Sequence, residues 1–440
     1  MNRLSGILIN LCRLFLAVTL ILSGYVKAID PLGTQYKIQD YLGALSLGQY
    51  FPDWSTLAAS VFLSALEFSL GIFLLFAIHR RTVSKLVLAL MAVMTVVSAW
   101  LWIANPISDC GCFGDALILT NGQTFAKNIV LLCMAAVVCC WPLRMVRFIS
   151  RTNQWIVIYY TLAFIVFSSG YCLYDLPLFD FRPYHVGADL RAGMEIPDSA
   201  AQPQFETTFI LEKDGERREF GLADYPDSTW TFIDSKTVQV SEGYVPPIHD
   251  FSITRCDDGE DITDEVVDSQ GYTFLLVSPS LAHADDGNFG KIDQLYEYCV
   301  DNGYAFYCLT ASGEREIERW RELTGAEYPF CSTDGTTLKT IIRSNPGLLL
   351  LRDGVVVRKW SHHNLPVVEP SQASTPLEKL PIGRMPTDTA PRKILMIMVW
   401  FVLPLVALTL ADRLWAWTQW LRRKGRKNKK ENTETSQIKS

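Results

Sequence analysis

The sequence predicts a helical membrane bundle joined to a polar extramembrane region, in which a β-rich segment precedes an α/β domain. Three observations predict it. Of 440 residues, 49% are hydrophobic and only 20% charged, and the apolar residues fall in blocks. Six blocks, at 5–28, 56–78, 86–104, 125–143, 155–174 and 394–411, match the roughly twenty residues a helix needs to cross a bilayer. Charge is also divided: residues 175–391 hold 18 basic and 37 acidic side chains, whereas the rest holds 22 basic and 9 acidic. Finally, the pattern within 175–391 passes from short alternating strands to strands alternating with amphipathic helices.

Basic clusters orient the spans. Arg80, Arg81 and Lys85 follow the second span, Arg144, Arg147 and Arg151 the fourth, and Arg422, Arg423, Lys424, Arg426, Lys427, Lys429 and Lys430 the sixth. Cationic connectors stay in the cytoplasm, so both termini are expected there, in a bacterial cytoplasmic membrane. The loop 29–55, the loop after the third span and residues 175–391 then face the periplasm. Val26-Lys27-Ala28 loosely fits a signal-peptide cleavage site, but Arg13 interrupts the apolar run and argues for retention.

Two intramembrane charges, Arg13 and Glu67, are costly in lipid and are expected to face the bundle interior. Both lie near mid-depth, so they could pair if their helices are adjacent. A substrate or proton role is the alternative.

The first loop reads Ser23-Gly24-Tyr25-Val26-Lys27-Ala28-Ile29-Asp30-Pro31-Leu32-Gly33, followed by Tyr36-Lys37-Ile38-Gln39-Asp40-Tyr41-Leu42. This run resembles the DoxX-like membrane family. The third loop reads Asp109-Cys110-Gly111-Cys112-Phe113-Gly114-Asp115 and resembles the MauE branch, the methylamine-utilisation membrane proteins. The resemblance covers about residues 5–150. It implies a role in maturing a disulfide-containing enzyme, beside a thioredoxin-like partner.

The residues of that third loop carry their own chemistry. Glycine lets the chain turn tightly enough for Cys110 and Cys112 to approach, and a short, strained disulfide is easily reduced. Three readings stand: a redox pair, a static disulfide pinning the loop, or a metal site with Asp109 and Asp115. The last lacks a nearby histidine, and its spacing is tighter than usual zinc sites. The two aspartates are expected to raise the thiol pKa values by like charge.

In the outer region, Asp214-Gly215 between 205–211 and 217–222 signals a hairpin, and 230–233 with 237–240 suggests a second strand pair. Strands are then expected at 272–277, 305–309, 348–351 and 355–360, helices at 291–301 and 313–324, and a helix ending at 338–342. Pro346 directly before a strand, then a hairpin at Arg352-Asp353-Gly354, resembles the thioredoxin fold, and the resemblance implies a cis-proline at Pro346. Where thioredoxins carry Cys-x-x-Cys, this chain reads Ser278-Pro279-Ser280-Leu281. Such a domain can bind a partner but cannot exchange dithiols alone.

Of eleven cysteines, Cys12, Cys133, Cys139, Cys140 and Cys172 lie in spans and read as packing residues. Cys299 and Cys308 read as core. Cys331, in Tyr328-Pro329-Phe330-Cys331, is a weaker redox or docking candidate, expected on the sheet edge that carries Pro346. Prolines at 366, 370, 376, 381, 386 and 391 predict a semi-extended linker, and the charged residues after Gly425 predict a disordered end.

The expected divisions are a four-helix membrane domain at 1–152, a fifth transmembrane helix at 153–175, the β-rich segment at 183–247, the thioredoxin-like domain at 248–365, the linker at 366–391, the sixth helix at 392–412 and a basic tail at 413–440. The acidic outer region repels nucleic acid, and the basic tail suits anionic lipid. No phosphate-binding loop, Ser-His-Asp set or metalloprotease helix is present, and no cofactor or metal is expected. The leading expectation is a membrane-bound protein exchanging disulfides with periplasmic thiol proteins through Cys110 and Cys112. A non-catalytic scaffold or transporter-like bundle, with a partner-binding outer domain, is the alternative.

Overall fold

The computed structural model describes residues 2–438 except 108–109, 198–199, 201–203, 214–215, 222–229, 242 and 388–389. It divides into two units, residues 1–182 with 360–365 and 386–440, and residues 183–359 with 366–385.

The first unit is a helical membrane bundle. Six helical stretches are long and apolar enough to cross a membrane: Leu4–Ile29, Asp53–Phe76, Arg80–Ala104, Asn121–Cys140, Arg151–Tyr174 and Ala390–Arg422. In element order these are α1 (Asn2–Ile29), the short α2 (Pro31–Ala44), α3 (Asp53–Phe76), α4 (Arg80–Ala104), α5 (Asn121–Cys140) and α6 (Gln154–Tyr174), with the last span described below. Asp30 caps α2, its carboxylate accepting the Gly33 N–H at 2.9 Å, and Pro31 opens the helix, where a missing N–H is harmless. The Asp30-Pro31-Leu32-Gly33 run is thus a helix start that turns the chain at the bundle end.

α1 packs mainly on α3, and α4 on α5. A Cβ on Gly24 would lie 2.3 Å from the Phe68 backbone nitrogen. Only glycine permits that crossing, and it brings Ser23 beside Glu67. Leu16, Leu74, Val87, Met91, Leu131 and Ala135 fill the space between these four helices. Large apolar side chains such as Phe62, Val96, Phe167 and Trp400 are instead exposed on the outside, as a lipid-facing surface requires.

The second unit begins with α7 (Leu190–Met194) and a three-stranded antiparallel sheet of β1 (Gln204–Lys213), β2 (Glu216–Gly221) and β3 (Thr231–Ser241), in the order β2-β1-β3. The expected second strand pair is instead the single strand β3, paired along β1 from Gln204↔Ser241 to Glu212↔Thr231. Partnering one long strand satisfies the backbone groups of 231–241 without a turn. The Asp214-Gly215 connection lies outside the described residues.

An α/β domain follows: β4 (Thr254–Arg255), α8 (Thr263–Val267), β5 (Tyr272–Ser278), α9 (Phe289–Asn302), β6 (Ala305–Thr310), α10 (Glu314–Thr324), β7 (Phe330–Ser332), α11 (Gly335–Ile341), β8 (Gly347–Arg352) and β9 (Val355–Ser361). Its sheet order is β4-β7-β6-β5-β8-β9. β5, β6 and β7 are parallel, and β8 runs antiparallel to β5. Every residue of β5 is buried, the mark of a strand covered on both faces. With its helical crossovers and a cis Asn345–Pro346 bond before β8, this is a thioredoxin-like domain.

The proline-rich segment, expected as a semi-extended linker, packs on the α/β domain over much of its length. Leu377, Leu380 and Ile382 are buried. Tyr298 donates to the Thr375 carbonyl at 2.6 Å, Tyr304 accepts the Leu377 N–H at 3.0 Å, and Tyr272 donates to the Gly383 carbonyl at 3.1 Å. Apolar residues between the prolines make 366–385 a strap on the α/β domain. α12 (Ala390–Ile397), a π turn at Met398–Val402 and α13 (Leu403–Ile438) complete the first unit. Asp412 of α13 accepts from Ser150 N at 2.8 Å, Ser150 Oγ at 2.6 Å and Asn153 Nδ2 at 2.7 Å, tying the sixth span to the connector before α6. The chain after Gly425 is helical to Ile438 rather than disordered, in keeping with the helix propensity of Lys, Arg and Glu.

Candidate functional site

Both loop motifs converge on one site at the end of the bundle, although about eighty residues separate them. Gly111 has φ +59°, and a Cβ there would stand 3.1 Å from Lys37 Cγ. The loop therefore turns between Cys110 and Cys112 only because this residue is glycine. Around it, Tyr41 of α2 donates its hydroxyl to the Cys110 carbonyl, and Ser23 of α1 lies 2.7 Å from the Cys112 carbonyl. Lys127 of α5 sits 4.4 Å from the Phe113 ring centroid, a cation–π distance.

Below the loop lies a buried ion pair. Lys27 Nζ donates to the two oxygens of Glu67 at 2.8 and 3.0 Å, and neither side chain is more than 5% exposed. Ser23 Oγ lies 2.7 Å from Glu67 Oε2. A cavity of about 30 Å³, lined by Ser23, Lys27, Glu67, Cys112 and Lys127 among others, connects the pair to the thiol. The space admits a water molecule.

The expected pairing of Arg13 with Glu67 is corrected. Arg13 turns instead to the Val146 carbonyl and lies over the Phe148 ring at 5.0 Å. Its guanidinium finds carbonyls freed at the end of the fourth span, while Lys27, one helical turn from Ser23, reaches the carboxylate.

Cys110 and Cys112 are both partly buried and carry free thiols. They hydrogen-bond to each other, and this contact sets their charge states. Cys112 is drawn down to about 6 by the Cys110 hydrogen bond, against burial and Glu67, with help from Lys127 and Lys27. Cys110 is raised by the same hydrogen bond, by burial and by the Cys112 charge. These opposite directions favour charge on Cys112 rather than on Cys110 in the reduced pair. The expectation that aspartates raise both thiols does not hold for Cys112, where lysines on two helices oppose it. Asp109 lies outside the described residues.

Cys331 does not join this chemistry. It is fully buried in β7 and is pushed up to about 12, mainly by burial. β6 and β5 separate β7 from β8, so Cys331 is not on the edge that carries Pro346, which corrects that expectation. β7 pairs with β6 because its Phe330 and Cys331 are apolar enough for the sheet interior. At the position of a thioredoxin's thiols, Ser278 Oγ donates to Asn345 Oδ1 at 2.7 Å, and Asn345 Nδ2 donates to the Ser280 carbonyl at 2.8 Å. The residue before Pro346 thus closes the turn where cysteines are absent.

Residues 5–142 match the family model of methylamine utilisation protein MauE. The match covers the first four of the six candidate spans, and this part of the bundle is similar to MauE. The two motifs of this MauE-like part are the ones that meet at the Cys110–Cys112 loop. Residues 205–242, covering the three-stranded sheet, match a domain of unknown function, DUF8463. No curated protein matches the chain. A solved structure with partial likeness is the solution structure of a protein from Bacteroides thetaiotaomicron assigned as a protein disulfide isomerase. It is 16% identical, with 26% of this chain and 76% of that chain covered and a TM-score of 0.21. Strand order and crossovers, not this likeness, define the fold of the α/β domain.

Lys27, Ser23, Tyr41 and Lys127 are site residues to which the sequence alone assigned no role. Lys27 carried a signal, since it stands near the end of an apolar span that also faces Glu67. Lys127 carried a weaker one, as a charge two residues inside the fourth apolar block.

Proposed function

We propose that this chain is a membrane-bound thiol–disulfide exchange protein, with Cys110 and Cys112 as its redox pair. The observation that carries this reading is that both motifs meet around Cys110 and Cys112, with Ser23 and Tyr41 on their carbonyls and Lys27 and Lys127 lining the cavity beside Cys112. A nucleophilic thiol works best with a pKa near ambient pH, and Cys112 is drawn toward that range. In the proposed exchange, the Cys112 thiolate attacks a partner disulfide and forms a mixed disulfide. Cys110 then displaces the partner sulfur, leaving Cys110–Cys112 oxidised and the partner reduced. The reverse sequence passes a disulfide outward.

The charge distribution supports a topology in which this loop and residues 175–391 face the periplasm of a bacterial cytoplasmic membrane, with both termini inside. Partners are then periplasmic thiol proteins. In this reading the thioredoxin-like domain binds a partner and performs no exchange, since Ser278-Pro279-Ser280-Leu281 stands where thioredoxins carry Cys-x-x-Cys.

A Cys110→Ser variant tests the proposal, because it removes the resolving thiol. It is expected to accumulate a reductant-sensitive adduct with a partner through Cys112, which a Cys110→Ser/Cys112→Ser variant lacks. No adduct from the single variant, with unchanged thiol states of other exported proteins in the double variant, contradicts the exchange role. That outcome favours the scaffold reading, which the closed Ser278–Asn345 contact supports.

A further inference from the structure

α3 packs on both α4 and α6, and the three helices line a groove of about 490 Å³. Phe62 and Phe73 of α3, Leu86 of α4, and Ile158 and Leu162 of α6 make its walls almost wholly apolar. From Phe62 to Phe73 the helix rises about 16 Å, which is one leaflet of a bilayer whose apolar core is about 30 Å thick. A crossing helix needs both leaflets, whereas a single acyl chain needs one. At its polar end the groove is closed by His79 and Thr82, at the start of α4.

Arginines without counter-charge gather at that end. Arg80 of α4 donates through Nη1 to the Leu143 and Met145 carbonyls, each at 2.8 Å, which fixes its guanidinium against the connector before α6. Its Nε, and that of Arg147 on the connector, are buried with no hydrogen-bond partner, a costly state for a charged donor. Arg151 lies on the face of its helix that carries Ile158 and Leu162, about two and three turns further on. Arg147 and Arg151 are close enough for their charges to act on Arg80. Among the described residues, no ion pair reaches any of the three. Asp412, the carboxylate bound to this connector, is taken by Ser150 and Asn153 and faces Arg413.

We propose that this groove is a binding site for an anionic phospholipid, with one acyl chain along α3 and the phosphate held by Arg80, Arg147 and Arg151. Guanidinium groups match phosphate oxygens in pairs, and basic pockets between membrane helices on the cytoplasmic side suit anionic head groups. In the topology proposed above, these arginines lie at that surface. A phosphate supplies acceptors for the unpaired donors and offsets three like charges at once. The groove alone would take any lipid, and the arginines alone any phosphate; together they select a lipid that carries net negative charge. The site lies at the other end of α4 from the Cys110–Cys112 loop, and the inference does not rest on the exchange reading.

The test uses the purified full-length protein, delipidated in detergent. Native mass spectrometry follows binding, and thermal unfolding follows stabilisation, as dioleoylphosphatidylglycerol, dioleoylphosphatidylcholine or inorganic phosphate is added. Expected is one phosphatidylglycerol retained per chain with a raised Tm, and neither effect from phosphatidylcholine or phosphate. Arg147→Gln/Arg151→Gln is expected to bind phosphatidylglycerol about 30-fold more weakly. Leu162→Trp, which fills the groove and leaves every arginine in place, is expected to weaken it as well. Both variants keep the basic tail after Arg422, so binding by the tail would survive in them unchanged. The comparison of the three probes on the wild type decides the matter even if a variant does not fold. Phosphatidylcholine held as tightly as phosphatidylglycerol, phosphate that stabilises equally well, or unchanged binding in both variants overturns the proposal. So does a dimer that persists in phosphatidylglycerol and is lost in Leu162→Trp, since a second copy would then fill the groove.

Discussion

Lys27 and Glu67 form a bidentate ion pair at 2.8 and 3.0 Å inside the bundle, directly beneath the loop that presents Cys110 and Cys112. The pair joins α1 to α3, and Ser23 extends it to the Cys112 backbone. Its consequences are separable by mutation.

Removing one partner leaves a buried charge without compensation. Lys27→Met is expected to destabilise the bundle by about 3–5 kcal/mol. The Lys27→Met/Glu67→Gln double variant is expected to recover much of that loss. Thermal unfolding of the protein in detergent measures both.

Cys112 is expected to alkylate as a thiolate well below the usual thiol range. The rate should rise with pH through about 6 and then level off, because the thiolate is the nucleophile. Lys127→Ala removes a positive charge that favours the thiolate, so the inflection should move to higher pH. An unmoved inflection would show that the Cys110 hydrogen bond sets it alone.

Cys331 is expected to stay unmodified in the folded protein. A thiol held at about 12 offers roughly ten-thousandfold less thiolate at pH 8 than one at about 6. Mass analysis after limited alkylation should find label on Cys110 or Cys112 and none on Cys331 until denaturant is added.

Gly24 tests how closely α1 and α3 must cross. A Cβ there would lie 2.3 Å from the Phe68 nitrogen, so Gly24→Leu must push the helices apart at an overpacking cost of about 1–3 kcal/mol. Because Ser23 and Glu67 move with them, the Cys112 alkylation profile should shift as well.

The strap also has a direct test. Leu377 is fully buried, and Leu377→Ala is expected to cost about 2–5 kcal/mol. Hydrogen exchange on the full-length protein should show residues 366–385 losing protection together with the α/β domain. Free exchange of that segment in the wild type would restore the linker view.

What the sequence revealed follows the strength of each local signal. Apolar blocks of twenty residues disclose the six membrane helices, and the β5 and β8 apolar runs with Pro346 disclose the α/β domain. The Cys110-Gly111-Cys112 loop and the Ser23-to-Gly33 run were each visible, but their meeting was not. It depends on a helix crossing at Gly24 that no periodicity reveals. Depth along a span suggested Arg13 for Glu67, whereas rotation about the helix axis selects Lys27. The proline-rich strap misled because prolines dominate its composition, while three apolar residues between them decide its position. Cys331 misled because a short strand gives no sign of where in a sheet it will pair.

The central claim is that Cys110 and Cys112 cycle between thiol and disulfide. The most direct measurement is acid trapping of living cells, differential alkylation and peptide mass analysis of the loop, repeated after brief oxidising and reducing challenges. The account predicts both forms, with the balance moving in each direction. A pair found in one form under every condition, with unaltered thiol states elsewhere when Cys110 is replaced by serine, would contradict it.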